Sequence, residues 1–345
     1  MSCICLPGPW ECEYSYGGEA DLHRHYTRCT KNPGHKNFIP VDKFCIEDLP
    51  EDYRDKVVIN YIRAVSDLTV RVKVEYVSDK RPETVPGIRK SYPGYSFRGQ
   101  RRATVGTGGV FSIKFSNEEE GQTCKCKVCR ISSTPETNFA IITIHTATHV
   151  VFDDLEGEHT TCHLFFDRGG TPDACSGVVA LTGMSRVLNE VIKDICLIEY
   201  HTHNLDLAHR LEKTIMEIHE LMLHSYNQTP NMTKLKHCRS IQDRQPLLFM
   251  VSHPHGCSKQ VSLGRWTSAD VSNRLILSFQ YSTSTCPGSS GARICVFPEL
   301  STKGVNLSTY TLFLPSLRAH CGASFMQLGE SFGRVYEGQY AFLYL

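Results

Sequence analysis

The sequence predicts a mainly β protein, an antiparallel barrel or sandwich with one helix before it and another within it. Three observations carry this. Residues 68–77 (LTVRVKVEYV) alternate, with Val70, Val72 and Val74 on one face, as a half-buried strand does. From about residue 103 onward, short β-rich runs are separated by Gly, Pro, Asp and Asn, the punctuation of an all-β architecture. Apolar residues recur at helical spacing in two places, before and amid these runs.

In order, residues 1–40 are rich in Cys, Gly, Tyr and His with little periodic apolar content, the composition of a small module or ordered tail without its own core. LPEDYRDKVVINYIRAV (49–65) reads as a helix with an acidic first turn and Val57, Val58, Tyr61 and Ile62 as its apolar residues. After the alternating 68–77 segment come the runs TVGTGGVFSIKF, NFAIITIHTATHVVF, TTCHLFF, SGVVALTG, DICLIEY, PLLFMVSHP, LILSFQYS, ARICVF and TYTLFLP. The second helix lies among them at 205–226, where Leu207, Leu211, Ile215, Ile218 and Met222 form a stripe that packs on the body.

With 345 residues and 41% hydrophobic content, the chain can bury one large core or two smaller ones. Its 37 Lys and Arg residues against 36 Asp and Glu leave no net field to draw in a polyanion, which argues against nucleic acid as the main partner. The opening MSCICLPGPWECEY lacks a basic n-region and an unbroken apolar h-region, and no stretch approaches roughly eighteen apolar residues. The expectation is a soluble cytoplasmic or nuclear chain, not secreted and not in a membrane. There the 16 cysteines read as thiols and metal ligands rather than a disulfide framework. The sequons opened by Asn227, Asn231 and Asn306 then read as unused.

Acyl transfer by serine needs a base for the hydroxyl proton, an acid to orient that base, and N–H donors where the oxyanion forms. Each requirement has a candidate. HTATHVVF places His149 directly after an apolar strand, and KDICLIEY places Asp194 at the head of another. In PGSSGA, Gly288 and Gly291 allow a sharp turn that aims consecutive N–H groups at one point while exposing a hydroxyl.

From about residue 68 to the end, the chain resembles a trypsin-like, chymotrypsin-fold serine protease. T-A-T-H at 146–149 resembles the family's T-A-x-H motif, D-I-C-L-I at 194–198 its aspartate strand, and G-S-S-G-A at 288–292 its G-[DN]-S-G-G nucleophile loop. VSHPHGCSKQVSLGRW (251–266) resembles the first hairpin of the second barrel in the bacterial high-temperature-requirement branch. The resemblance implies two antiparallel six-stranded β-barrels, an acyl-enzyme mechanism, a protein or peptide substrate and no catalytic cofactor. It implies a first barrel at 68–202, an inserted helix and crossover at 203–245 and a second barrel at 246–345, behind the 1–40 extension and a 41–67 linker and helix. It makes Ser290 the nucleophile, His149 the base, Asp194 its orienter, and the N–H groups of Gly288 and Ser290 the oxyanion hole.

The chain also departs from the family. Ser289 stands where secreted members carry the Asp that receives a new N-terminus, and Val150 stands where they carry a disulfide cysteine; both fit an intracellular enzyme. Ala292 replaces the second glycine of the loop. Asp206, in NLDLAHRL, is the alternative acid, although it also suits the start of the helix after it. The family's pocket positions imply Ser284 and the segment 318–325, where His320 resembles the pocket histidine of viral proteases that prefer glutamine. No acidic residue stands at Ser284, so a taste for Lys or Arg is not expected. The competing reading is a protease-like fold that has lost turnover and serves as a binding or scaffold module.

Two cysteine clusters suggest zinc. TCKCKVC places Cys124, Cys126 and Cys129 together, the last two at the C-x-x-C spacing by which a turn presents two thiolates, with Cys162, His163 or Cys175 as the fourth ligand. Cys12, His25 and Cys29 resemble part of a C2HC-type finger that Cys3 or Cys5 would complete. So short a segment would need the metal to fold, and it would recruit a protein or RNA rather than take part in proteolysis.

Overall fold

In the computed structural model, residues 7–86, 90–117, 121–192, 194–227, 247–273, 276–297, 317–324 and 331–336 are described. The strands are β1 (Pro7–Trp10), β2 (Glu13–Ser15), β3 (Ile39–Pro40), β4 (Thr69–Val74), β5 (Ala103–Phe115), β6 (Ala140–Thr146), β7 (Thr160–Leu164), β8 (Val179–Thr182), β9 (Arg186–Glu190), β10 (Ile195–Thr202), β11 (Leu247–Ser252), β12 (Gln260–Asn273), β13 (Ile276–Tyr281), β14 (Ile294–Phe297), β15 (Leu317–Ser324) and β16 (Ser331–Tyr336). The α-helices are α1 (Glu19–Thr27), α2 (Lys56–Leu68), α3 (Asp154–Glu158) and α4 (Leu205–Asn227).

The strands form two eight-stranded sheets, mainly β and antiparallel throughout their described pairings. The first runs β8-β7-β4-β5-β6-β10-β9, with β2 also on β5. The second runs β1-β15-β16-β13-β12-β11-β14, with β3 also on β12. Alternation builds the first sheet: Val70, Val72 and Val74 of β4 are wholly buried beside Ile142 and Ile144 of β6 and Ile198 of β10 in one core. The run TYTLFLP lies outside the described residues.

The first long helix starts later than the sequence suggests. A short 3-10 turn at Glu51–Tyr53 precedes it, and the Asp55 side chain caps α2 by accepting the Val57 N–H at 2.6 Å. Tyr61 on α2 meets Phe249 on β11 edge-on at 5.4 Å between ring centres, so the helix joins the two sheets. In α4, Leu207, Leu211 and Ile218 are buried in the same core, and Ile215 and Met222 pack against it.

The N-terminal region is not a separate module. It is threaded through the body, with β1 on the second sheet, β2 on the first and β3 again on the second. A segment without an apolar core of its own satisfies its backbone by adding strands to sheets that have one.

Candidate active site

His149 sits in the turn that ends β6, where Val150 and Val151 both donate their N–H groups to the Ala147 carbonyl. Asp194 arrives at the head of β10. Its Oδ2 lies 2.7 Å from His149 Nδ1, and its Oδ1 accepts the His149 backbone N–H at 3.0 Å. Both side chains are buried, and Asp194 adopts a left-handed φ of 56°, a conformation of aspartate that costs free energy and clusters at working sites. His149 Nε2, on the far side of the ring, is buried with no hydrogen-bond partner among the described residues. Asp206, the alternative acid, is exposed in the first turn of α4.

A buried ion pair fixes this turn from behind. Arg81 Nε and Nη2 donate to the two Glu156 carboxylate oxygens at 2.6 and 2.7 Å, and Arg81 Nη1 donates to the His149 carbonyl at 2.9 Å. Glu156 in turn accepts the N–H groups of Ser78 and Phe152, both at 2.8 Å. His145 is a contrasting case on the same strand: burial pushes it well below the usual histidine range, which suits neutral packing rather than base chemistry.

The loop 286–292 brings Ser290 to the junction of the two sheets. Gly288 and Gly291 take φ values of 96° and 87°, and a Cβ on Gly291 would collide with the Thr107 carbonyl oxygen. Thr107, on β5, bolts the loop down: its N–H donates to the Ser290 carbonyl at 2.8 Å and its hydroxyl to the Gly288 carbonyl at 2.7 Å. Ser289 Oγ lies 3.2 Å from Ser252 Oγ on β11, so its hydroxyl is tied into the second sheet.

The N–H groups of Gly288 and Ser290 converge on one oxygen. Both donate to the Glu11 carbonyl, at 2.6 and 3.4 Å, and the neighbouring Trp10 ring lies 4.9 Å from the His149 ring. Beside them Ser284 is half-buried, and Thr285 Oγ1 accepts from Lys31 Nζ at 2.9 Å. His320 falls in β15, where the structure describes the strand and not its side chains.

The cysteine clusters assemble with other partners than the sequence suggests. Cys124, Cys126 and Cys129 meet His203, whose Nε2 lies 3.1, 3.8 and 3.5 Å from the three sulfurs. Backbone N–H groups of Cys126, Cys129 and Glu136 point at the Cys124, Cys126 and Cys129 sulfurs. Cys162 cannot be the fourth ligand because it faces the core from β7, and Cys175 contacts the Phe165 carbonyl instead. His163 is also on β7, with Arg71 and Lys73 as its charged neighbours.

The proposed finger divides in the same way. Cys3 and Cys5 lie outside the described residues, Cys12 is in the core, and His25 faces Glu13 at 3.0 Å. Cys29 instead joins His35, His255 and Cys286. The residues that the sequence did not single out include Glu11, Lys31, His35, Arg81, Thr107, Glu156, His203, His255 and Cys286; among them the threonine among glycines in TVGTGG carried a local signal.

No protein-family model matches the chain, and no curated protein matches it. Solved structures to which it is similar include the active form of the Rv3671c protease from M. tuberculosis, at 10% identity and a TM-score of 0.37 over 83% of this chain and 84% of that one. The serine endoprotease from Yersinia pestis is 14% identical with a TM-score of 0.34, over 82% of this chain and 62% of that one. The HtrA-type protease AlgW with a tripeptide is 12% identical with a TM-score of 0.38, over 82% of this chain and 60% of that one. The chemistry rests on the site's own geometry.

Arg81→Ala would leave the Glu156 carboxylate buried without its counter-ion, and should destabilise the fold by about 3–5 kcal/mol in chemical denaturation. A loss below about 1 kcal/mol would show that the pair does not anchor the His149 turn.

Proposed function

We propose that the protein is a serine endopeptidase of the chymotrypsin-like kind, cleaving protein or peptide substrates through an acyl-enzyme on Ser290. The observation that carries this reading is the convergence of the Gly288 and Ser290 N–H groups on one carbonyl oxygen, next to a buried His149–Asp194 pair. Ser290 Oγ attacks the substrate carbonyl and His149 Nε2 takes its proton. Asp194 keeps the proton of the neutral ring on Nδ1 and stabilises the imidazolium that forms. The two N–H groups hold the developing oxyanion, and His149 then protonates the leaving amine. The two sheets correspond in this reading to the two barrels of such enzymes.

A cytoplasmic or nuclear setting belongs to the same reading. It is supported by the grouping of Cys124, Cys126 and Cys129, and of Cys29 and Cys286, with histidines. The alternative, a protease-like binding module without turnover, is favoured by Ser289 and Ala292 in the loop and by the Glu11 carbonyl that already takes the Gly288 and Ser290 N–H groups.

Labelling with a fluorophosphonate probe separates these readings. Wild type and Ser289→Ala should label, whereas Ser290→Ala and His149→Ala should not, with turnover in Ser290→Ala reduced on the order of a million-fold. Folded wild-type protein that neither labels nor cleaves any peptide would refute the enzyme reading.

Structural zinc at Cys124, Cys126, Cys129 and His203 is part of the proposal, as a clip between the 121–132 loop and the end of β10. Elemental analysis should find zinc that Cys126→Ser lowers by about one equivalent per chain, with an earlier thermal transition. An unchanged zinc content would rule the clip out.

A further inference from the structure

Residues 7–15 pass from the second sheet to the first. β1 pairs antiparallel with β15 of the second sheet, Trp10 opposite Gly322, and β2 pairs antiparallel with β5 of the first, Glu13 opposite Val105. The peptide bond between the two strands, Glu11–Cys12, lies at the junction. Its carbonyl oxygen accepts from the backbone N–H groups of Gly288 and Ser290, the two donors that the endopeptidase reading assigns to the oxyanion. The Glu11 side chain is buried, and its carboxylate pairs with Lys31 Nζ, which also donates to Thr285 Oγ1 at 2.9 Å.

We propose that the chain cleaves its own Glu11–Cys12 bond, and that Lys31 makes the same pocket selective for glutamate immediately before the bond cut in other substrates. This rests on the endopeptidase reading above. Ser290 Oγ bonds to the Glu11 carbonyl carbon, its proton passing to His149. The bond to the Cys12 nitrogen breaks and His149 returns the proton to the new amine. Water then adds to the ester, giving its proton to His149, and the ester bond breaks to leave a Glu11 carboxylate and restore the Ser290 hydroxyl. The positive pocket follows from burial: a carboxylate taken out of water is stabilised by an ammonium in contact with it, and an amide of the same shape is not.

The test pairs intact-mass and N-terminal analysis of the full chain with peptide hydrolysis. Wild-type protein should begin at Cys12 and Ser290→Ala should retain Glu11–Cys12. The cleavage rate should not change on dilution, since the segment occupies its own cleft. Glu11→Gln should slow processing about 10- to 100-fold. Peptides ending PGPWE before a fluorogenic leaving group should be cleaved faster than PGPWQ by a similar factor, and Lys31→Met should collapse that ratio; being internal, the ratio is insensitive to partial unfolding. Protein that labels at Ser290 yet keeps the bond and shows no preference for glutamate overturns this inference alone. Protein that does not label overturns the enzyme reading and this inference with it.

A different observation carries a second site. Cys29 Sγ and His35 Nε2 each lie 3.6 Å from Cys286 Sγ, and with His255 all four ligand atoms fall within 4.8 Å of one another. His255 gives its Nδ1 to Glu13 Oε2 at 2.6 Å, while its Nε2 is buried without a hydrogen-bond partner among the described residues. A carboxylate behind a ligating imidazole is the usual support of a zinc histidine. We infer that these four residues hold a zinc ion, tying the segment that carries Lys31 to the loop that carries Ser290. Cys29→Ser should lower bound zinc by about one equivalent per chain beyond the Cys126→Ser loss. Cobalt(II) added to metal-stripped Cys126→Ser protein should give the absorption of a tetrahedral site with two thiolates. Unchanged zinc in Cys29→Ser, or an octahedral cobalt spectrum, overturns the site.

Discussion

Two amide N–H groups, those of Gly288 and Ser290, meet at one carbonyl oxygen, and most of the local architecture is a consequence of making that possible. Amides two residues apart point the same way only if the chain between them turns sharply, hence the left-handed glycines on either side of the serine pair. A loop in that conformation is strained unless its surroundings hold it. Thr107 supplies the hold from the other sheet by donating to the carbonyls of both Gly288 and Ser290, and its own hydroxyl is satisfied by the His253 N–H at 3.0 Å. Part of the junction between the sheets is thus made of hydrogen bonds to the 286–292 loop, so the shape of the candidate site and the packing of the two sheets are linked.

The other half of the site stores its order differently. Asp194 in a left-handed conformation and a wholly buried His149 both need compensation. The carboxylate receives two donors from one residue, and the turn behind is fixed by the Arg81–Glu156 pair, whose remaining valences go to backbone groups. An ion pair out of water is a poor source of net stability but a good source of uniqueness, because every alternative packing leaves a charge uncompensated. That property keeps the His149 ring turned with Nδ1 toward Asp194.

What the sequence made legible follows from what is local. Alternating valines, apolar residues at helical spacing and apolar runs between turn residues are written within a few positions of each other, and so are β4, α4, most of the strands and α2 apart from its start at the Asp55 cap. The candidate residues stand out in the sequence because His149 ends one apolar run, Asp194 heads another and Ser290 lies between two glycines. The rest is assembled at long range. The partner of the three cysteines is His203, far along the chain from Cys124, because β10 returns beside the strand that follows the cysteine loop. Cys29 finds Cys286 because the N-terminal segment lacks a core and lies across both sheets. Arg81 stands in a region with no periodicity, where nothing marks a cation for burial.

The N-terminal segment resists description as either substrate or scaffold, and its chemistry explains why it can be both. Among the described residues, those before Glu11 form β1, whereas the N-terminal segment after it is held by β2, α1, β3 and the cysteine–histidine group. Lys31, the residue that meets the buried carboxylate, lies on the second side of that division. A cut after Glu11 would therefore free the strand that fills the cleft and leave the charged wall of the pocket in place. An inhibitor that brought its own counter-charge would lose the pocket when it left. A segment that donates the counter-charge from beyond the cut leaves behind a cleft already shaped for the next acidic residue.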